Sequence, residues 1–227
     1  MGIKATWLSH SGFQLEIGSH KILIDPFLSG SQLAPTSADD IEADFILITH
    51  GHGDHISDTP AIAKRTGATV VGMVEIAGWV SNQGVESTVG NNMGGGMDHG
   101  FGRVEFTPAW HSSSLPDGSY GGMPAGIIIF ADGLTIYHAG DTALFSDMQL
   151  IGDKGIDVAI VPIGDFYTMG PDDSIKAVNY LKPKFVLPMH YNTFPVLQQD
   201  AAAWADRIHK ETGAEPIVLD PGGAHEF

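Results

Sequence analysis

The segment ITHGHGDHISD, residues 48–58, places His50, His52, Asp54 and His55 within six positions, with Gly51 and Gly53 as spacers. Imidazole nitrogen is a good zinc ligand and carboxylate oxygen a hard donor, so this grouping describes a metal cradle. A polar surface turn does not need such a density of donors. The run leading into it, DFILITH, is continuously apolar, as expected for a strand covered on both faces. The cradle thus stands at a strand's C-terminal end, where loops of an α/β sheet diverge around a crevice.

Outward from the cradle, upstream IKATWL, FQLEI and KILIDPF read as short strands, the last two joined at Gly18-Ser19. Downstream, Thr59-Pro60 reads as an N-cap and first helical position, and AIAKRTG as the helix with its glycine stop. ATVVG is a strand and MVEIAGWVSNQG a helix ending at Gly84. TVGNNMGGGMDHG is read either as a plain loop or as a flap carrying His99 toward substrate; its glycines suit both.

The remainder repeats the scheme. RVEFTPAWH is a strand leading to His111, GIIIF-ADG-LTIYH a hairpin leading to Asp141 in HAGDT, and DVAIVPIG a buried strand. PDDSIKAVNYL is a helix, KFVLPMH a strand ending in His190, and DAAAWADRIHKETG a terminal helix. This alternation predicts an α/β protein of one domain over residues 1–227, in two similar halves of about 1–102 and 103–227.

Composition narrows the function. The 227 residues carry 11 Lys and Arg against 27 Asp and Glu, a formal net charge of −16. Such a field repels phosphate backbones, so a small-molecule substrate is expected and nucleic acid is not. There is no cysteine, which removes disulfides, thiolate ligands and thiol nucleophiles and leaves His and carboxylate to bind metal. MGIKATWLSH has no apolar core of signal-peptide length and no stretch is long enough to span a bilayer, so a cytoplasmic protein without a membrane partner is expected. A homo-oligomer stays open, because the apolar area it would bury is not countable from sequence.

His111, Asp141 and His190 each follow an apolar strand and precede a polar or glycine-containing loop. If those strands are neighbours, their ends converge on the cradle and bring the donors to seven, more than one zinc requires. Two adjacent metals bridged by a carboxylate are the natural reading.

The HxHxDH cradle, then a strand-end His, a Gly-Asp and a last strand-end His, resembles the metallo-β-lactamase superfamily, whose fold is a four-layered αββα sandwich. WLSHSGF, LIDPF, HSSS, YHAGDT, FYTMG and PMHYNTFP resemble its branch of metal-dependent hydrolases related to L-ascorbate-6-phosphate lactonase and, more distantly, to phospholipase D-type phosphodiesterases. The resemblance runs over nearly the whole chain. It implies that His50, His52 and His111 hold one metal, that Asp54, His55 and His190 hold the second, and that Asp141 bridges them. It also implies that Asp25, in LIDPF, orients a ligand from behind. Di-iron oxidoreductases of this fold carry Glu where this chain has His52, so nitrogen-rich ligation favours zinc, with manganese next.

The chemistry so implied is hydrolysis of a small ester, lactone or phosphodiester. A hydroxide held between two ions is available near neutral pH, because coordination lowers the pKa of water to about 7. No Ser or Cys nucleophile is then needed, and Asp54 or His10 is the candidate catalytic group that protonates the leaving group. His10 is equally readable as a partly buried structural residue, and His138 reads as support for the site rather than as a ligand. Tyr191 and Asn192 are candidate substrate contacts as oxyanion donors, or else turn residues. Asp165, in GDFYTMG, replaces the small residue usual after that glycine. His20, His209 and His225 have no motif around them and read as solvent-facing. The alternatives are an RNA-processing or other nuclease of the same fold, which needs a basic surface this chain lacks, and a non-catalytic metal-binding protein, which the seven intact donors argue against.

Overall fold

In the computed structural model, which describes residues 2–227, two seven-stranded sheets form the centre of an α/β sandwich with helices on the outside. The first sheet starts with an antiparallel meander of β1 (Lys4–Ser9), β2 (Gly12–Ile17) and β3 (His20–Ile24). It continues in parallel through β4 (Phe45–Leu47), β5 (Thr69–Met73) and β6 (Thr88–Asn91). The second sheet mirrors this order. Antiparallel β7 (Gly96–Asp98), β8 (Arg103–Pro108), β9 (Ala125–Ala131) and β10 (Leu134–His138) precede parallel β11 (Val158–Pro162), β12 (Phe185–Met189) and β13 (Glu215–Pro216).

The cradle opens with one helical turn, α1 (Gly53–Ile56), followed by α2 (Thr59–Thr66) and α3 (Val74–Asn82); α3 packs on β5 and β6. In the second half α4 (Met148–Gly152), α5 (Pro171–Leu181) and α6 (Ala201–Glu211) pack on one another in sequence, with α5 on β11 and α6 on β13. Ile22–Ile24, Ile46–Ile48, Ile127–Ile129 and Val158–Val161 are buried at every position. Unbroken burial of this kind is what a strand shows when one face meets the opposing sheet and the other meets helices.

Three expectations need correction. The halves do not divide at residue 102: β7 already pairs with β8, so the chain crosses between sheets near 92–95, and β14 (Ala224–Glu226) returns to pair with β1 in the first sheet. TVGNNMGGGMDHG is therefore neither a plain loop nor a flap, but two short strands joined by a turn. Thr59 is the first helical residue and Asp58 the N-cap; the Asp58 carboxylate instead accepts the Leu28 and Ser29 amides at 2.7 and 2.9 Å, fixing the loop after LIDPF. Gly67 ends α2 in the left-handed conformation (φ 76°) as the sequence implied.

Candidate metal centre

Parallel strands bring their C-terminal ends to one edge, and there the polar residues gather. His50 lies just past β4, Asp54 and His55 on α1, Asp141 just past β10 and His190 just past β12. His111 lies three residues beyond the end of β8. One carboxylate oxygen, Asp141 Oδ2, is 2.9 Å from His190 Nε2, 3.3 Å from His55 Nε2, 3.7 Å from His111 Nε2 and 4.0 Å from His50 Nε2. Two sets of donors flank it. His50, His52 and His111 form one, and His10, Asp54, His55 and His190 the other, with ligand atoms inside each set within 4.8 Å of one another.

Asp25 dictates which ring nitrogens face this centre. Its Oδ2 accepts the Nδ1–H of His55 at 2.8 Å and the Thr49 hydroxyl at 2.5 Å. Thr49 Oγ1, with its proton given to Asp25, accepts from His50 Nδ1 at 3.0 Å. Both imidazoles thereby present Nε2 inward. His52 turns Nδ1 toward His50 Nε2 at 3.0 Å and sets Nε2 3.3 Å from Ser112 Oγ.

A cation fits this arrangement. His55 Nε2 is buried without a regular hydrogen bond among the described residues, the nearest acceptor being Asp141 Oδ2 at 3.3 Å. Burial alone would push the His55 pKa down, yet the Asp141 and Asp25 carboxylates raise it well above the usual imidazole value. The site thus favours positive charge at that nitrogen. His50, His52 and His111 are shifted the other way, first by burial and then by their neighbours, so they stand as neutral imidazoles. Asp141 is held far below the usual carboxylate range despite burial, by His190 and His55.

His10 is fully buried between His190 (ring centroids 4.1 Å) and Phe194 (5.5 Å), and its Nε2 lies 3.2 Å from Asp54 Oδ2. Burial lowers its pKa to about 4, against the pull of Asp54, so the neutral ring donates from Nε2. Asp54 stays ionised, because the His10 hydrogen bond and the charge on His55 outweigh its own burial. Thr193 Oγ1 sits 3.0 Å from His10 Nδ1; Thr193 falls within PMHYNTFP, but the sequence assigned it no role.

His138 is a structural brace. Its Nδ1 accepts from Gly140 N at 3.2 Å and its Nε2 donates to the Ser11 carbonyl at 2.9 Å, leaving no lone pair for a metal. Ser11 Oγ in turn reaches Asp141 Oδ1 at 3.4 Å.

Three proposed substrate contacts lie elsewhere. His99 packs on Phe101 and against Phe45, at the end of β4 away from the cradle. The ring of Tyr191 stacks on Trp7 at 5.2 Å, and burial with Asp220 nearby raises its pKa to about 12. Asn192 accepts the Gln199 amide at 2.8 Å and serves the turn. Among the histidines read as solvent-facing, His20 is half-buried beside Phe45 and Phe101, and His225 is half-buried beside Phe185 and Phe227.

The backbone around the centre is strained. Ser9, His10, Asp25, His190 and Asn192 have φ of 95°, 51°, 43°, 56° and 59°, conformations that cost non-glycine residues roughly 1–3 kcal/mol each and cluster at functional sites.

A family model described as a beta-lactamase superfamily domain matches residues 4–190. A UPF0173 metal-dependent hydrolase of Thermus thermophilus is 49% identical over 97% of both chains. The chain belongs to the UPF0173 metal-dependent hydrolases of the beta-lactamase superfamily. Another UPF0173 member, from Archaeoglobus fulgidus, is 46% identical over 99% of both chains. Among solved structures, Igni18, a metallo hydrolase from the hyperthermophilic archaeon Ignicoccus hospitalis, superposes with a TM-score of 0.91 at 36% identity, covering 100% of this chain and 99% of that one. The αββα sandwich expected from the cradle motif is thus the superfamily's fold in this chain.

Proposed function

We propose that this protein is a two-metal hydrolase of a small ester, lactone or phosphodiester. The observation that carries the reading is Asp141 Oδ2, within 4.0 Å of four imidazole nitrogens drawn from two separate donor sets. His50, His52 and His111 would hold one ion, Asp54, His55 and His190 the other, with Asp141 shared; zinc suits these donors best and manganese next. When bound, the ions supply an activated water and a Lewis acid for the oxygen that turns negative.

The chain's own side chains do the rest. Asp25 and Thr49 fix the imidazoles of His55 and His50, so no reorganisation is needed when substrate arrives. His10 holds Asp54 Oδ2, turning Asp54 Oδ1 to 3.8 Å from His55 Nε2. A proton bound for the leaving group has its place on the Asp54 carboxylate, whose Oδ2 is held by the Nε2–H of His10. Phe27 and Phe194, whose rings lie 5.6 and 5.5 Å from that of His10, cover the His10 side of this pair and leave Asp54 partly open to solvent. The hydrolase names of the relatives support the reaction class, and the net charge of −16 supports a small molecule over nucleic acid.

The test is turnover of a chromogenic phosphodiester, a carboxylic ester and a lactone by protein loaded with zinc or manganese, with metal content measured alongside. Turnover that disappears in Asp54→Asn establishes the enzyme. Protein holding two ions that turns over none of the three, and does not differ from Asp54→Asn, overturns it in favour of a metal-binding role.

A further inference from the structure

Resting on the hydrolase reading, we propose that the part of the substrate away from the scissile bond is an uncharged apolar group, aryl or short alkyl, held against Phe27 and Phe194. These two rings lie 6.2 Å apart, both half-buried, beside the His10–Asp54 end of the centre. Apolar side chains also mark the loops at the other end. Trp110, the residue before His111, is 69% exposed, and Phe166, which meets Tyr167 edge-to-face at 4.7 Å, is 70% exposed.

These aromatics are tied to the ligand loops. Thr142, next to Asp141, accepts the Trp110 amide on its hydroxyl at 2.9 Å and the Met169 amide on its carbonyl at 3.0 Å. The turn bearing Phe166 is therefore anchored to the centre, and it holds Asp165 and Phe166 in left-handed backbone (φ 61° and 46°). Contiguous exposed apolar side chains mark a binding surface, and Phe166 with Tyr167 forms such a pair here.

Charge excludes the other substrate type. A phosphate or carboxylate tail is normally clamped by Arg or Lys. Among the described residues, no Lys or Arg side chain hydrogen-bonds or ion-pairs with a residue of the centre; Arg65 pairs with Glu42, Lys154 with Glu105 and Arg207 with Asp172, for example. The exposed Asp165 adds negative charge beside Phe166. An anionic tail would meet Asp165 there, and Arg207, which lines the same surface hollow, is already paired with Asp172 and Glu211.

The experiment uses zinc-loaded protein and two matched series. Butanoyl, hexanoyl and succinyl hydroxamates are measured for binding by calorimetry, and the corresponding p-nitrophenyl esters for kcat/KM. Hexanoyl is expected to exceed butanoyl by about tenfold, from two added methylenes, and succinyl to fall at least tenfold below butanoyl. Phe27→Ala and Phe194→Ala are each expected to flatten the chain-length step. A succinyl compound equal to or better than butanoyl, or a flat series in the unaltered protein, overturns the proposal. The graded binding series without ester turnover would keep the apolar contact with Phe27 and Phe194 and count against ester hydrolysis, whereas turnover with a flat series would keep the hydrolase and remove that contact.

Discussion

Asp25 and His55 are both fully buried and joined at 2.8 Å through Asp25 Oδ2 and His55 Nδ1. The same oxygen takes the Thr49 hydroxyl, so one carboxylate determines the tautomers of His55 directly and His50 through Thr49. These two rings fall in the two different sets that flank Asp141, and with Asp25 they also form a third close group. A single residue behind the centre thus pre-orients imidazoles that, under the two-metal proposal, would serve both ions.

Replacing it should weaken both. Asp25→Asn keeps the size but removes one acceptor oxygen and puts a donor beside a donor, so metal affinity is expected to fall by about 10–100-fold. Thr49→Val breaks only the His50 branch and should act chiefly on one ion. Competition with a chromophoric chelator reads both affinities, and unaltered binding in Asp25→Asn would refute the tautomer role.

A second prediction concerns Gly164. A Cβ at this position would overlap the carbonyl oxygen of His190, a residue at φ 56° whose amide donates a hydrogen bond to the His10 carbonyl at 3.0 Å. Gly164→Ala must displace His190, just past β12, or the turn after β11. Overpacking of this kind costs about 1–3 kcal/mol. Urea denaturation should show that loss, and metal analysis should show one ion weakened more than the other. A variant with unchanged stability and stoichiometry would mean that the turn yields freely.

Much of this was legible in the sequence because the ligands obey local rules. His50 to His55 are contiguous, and His111, Asp141 and His190 each stand just beyond an apolar strand, so strand ends alone pointed to their convergence. What was not legible depends on which way a side chain turns after the strand ends. Tyr191 and Asn192 adjoin His190 yet point into the Trp7 stack and the Gln199 turn, while Thr193, one residue further, reaches His10. The glycine-rich stretch misled for another reason: its conformation is fixed by pairing of β6 with β5 and β7 with β8, partners remote from any local signal.

The buried brace His138 gives a pH prediction for the metal-free protein. Burial, only partly opposed by Asp25, lowers its pKa below 6.5 in the folded state. The unfolded chain takes up that proton first as pH falls. This contribution to stability is therefore complete above 6.5 and is lost progressively below it. His55, whose pKa is raised, works in the opposite sense, so the comparison must be made against a variant. His138→Gln is expected to be less stable than wild type by about 1–3 kcal/mol near pH 8, from the buried hydrogen bonds it loses, and the gap should narrow near pH 5. Urea midpoints at the two pH values measure it, and an equal gap at both would show that His138 does not titrate on unfolding.

The sharing of Asp141 can be tested by counting ions. If its Oδ2 belongs to both donor sets, Asp141→Asn removes charge from both, and the pairing with His190 at 2.9 Å and His55 at 3.3 Å is lost together with the looser approaches to His111 and His50. His52→Ala touches only the first set and His190→Ala only the second. Metal analysis after dialysis against equal low zinc should therefore give near two ions per chain for wild type, near one for each His variant, and below one for Asp141→Asn. If Asp141→Asn retained a full ion, the carboxylate would belong to one set alone. Thermal melting supplies an independent check, because ions that bind only the folded state stabilise it in proportion to occupancy: the zinc-induced rise in Tm should be largest in wild type, intermediate in the two His variants and smallest in Asp141→Asn.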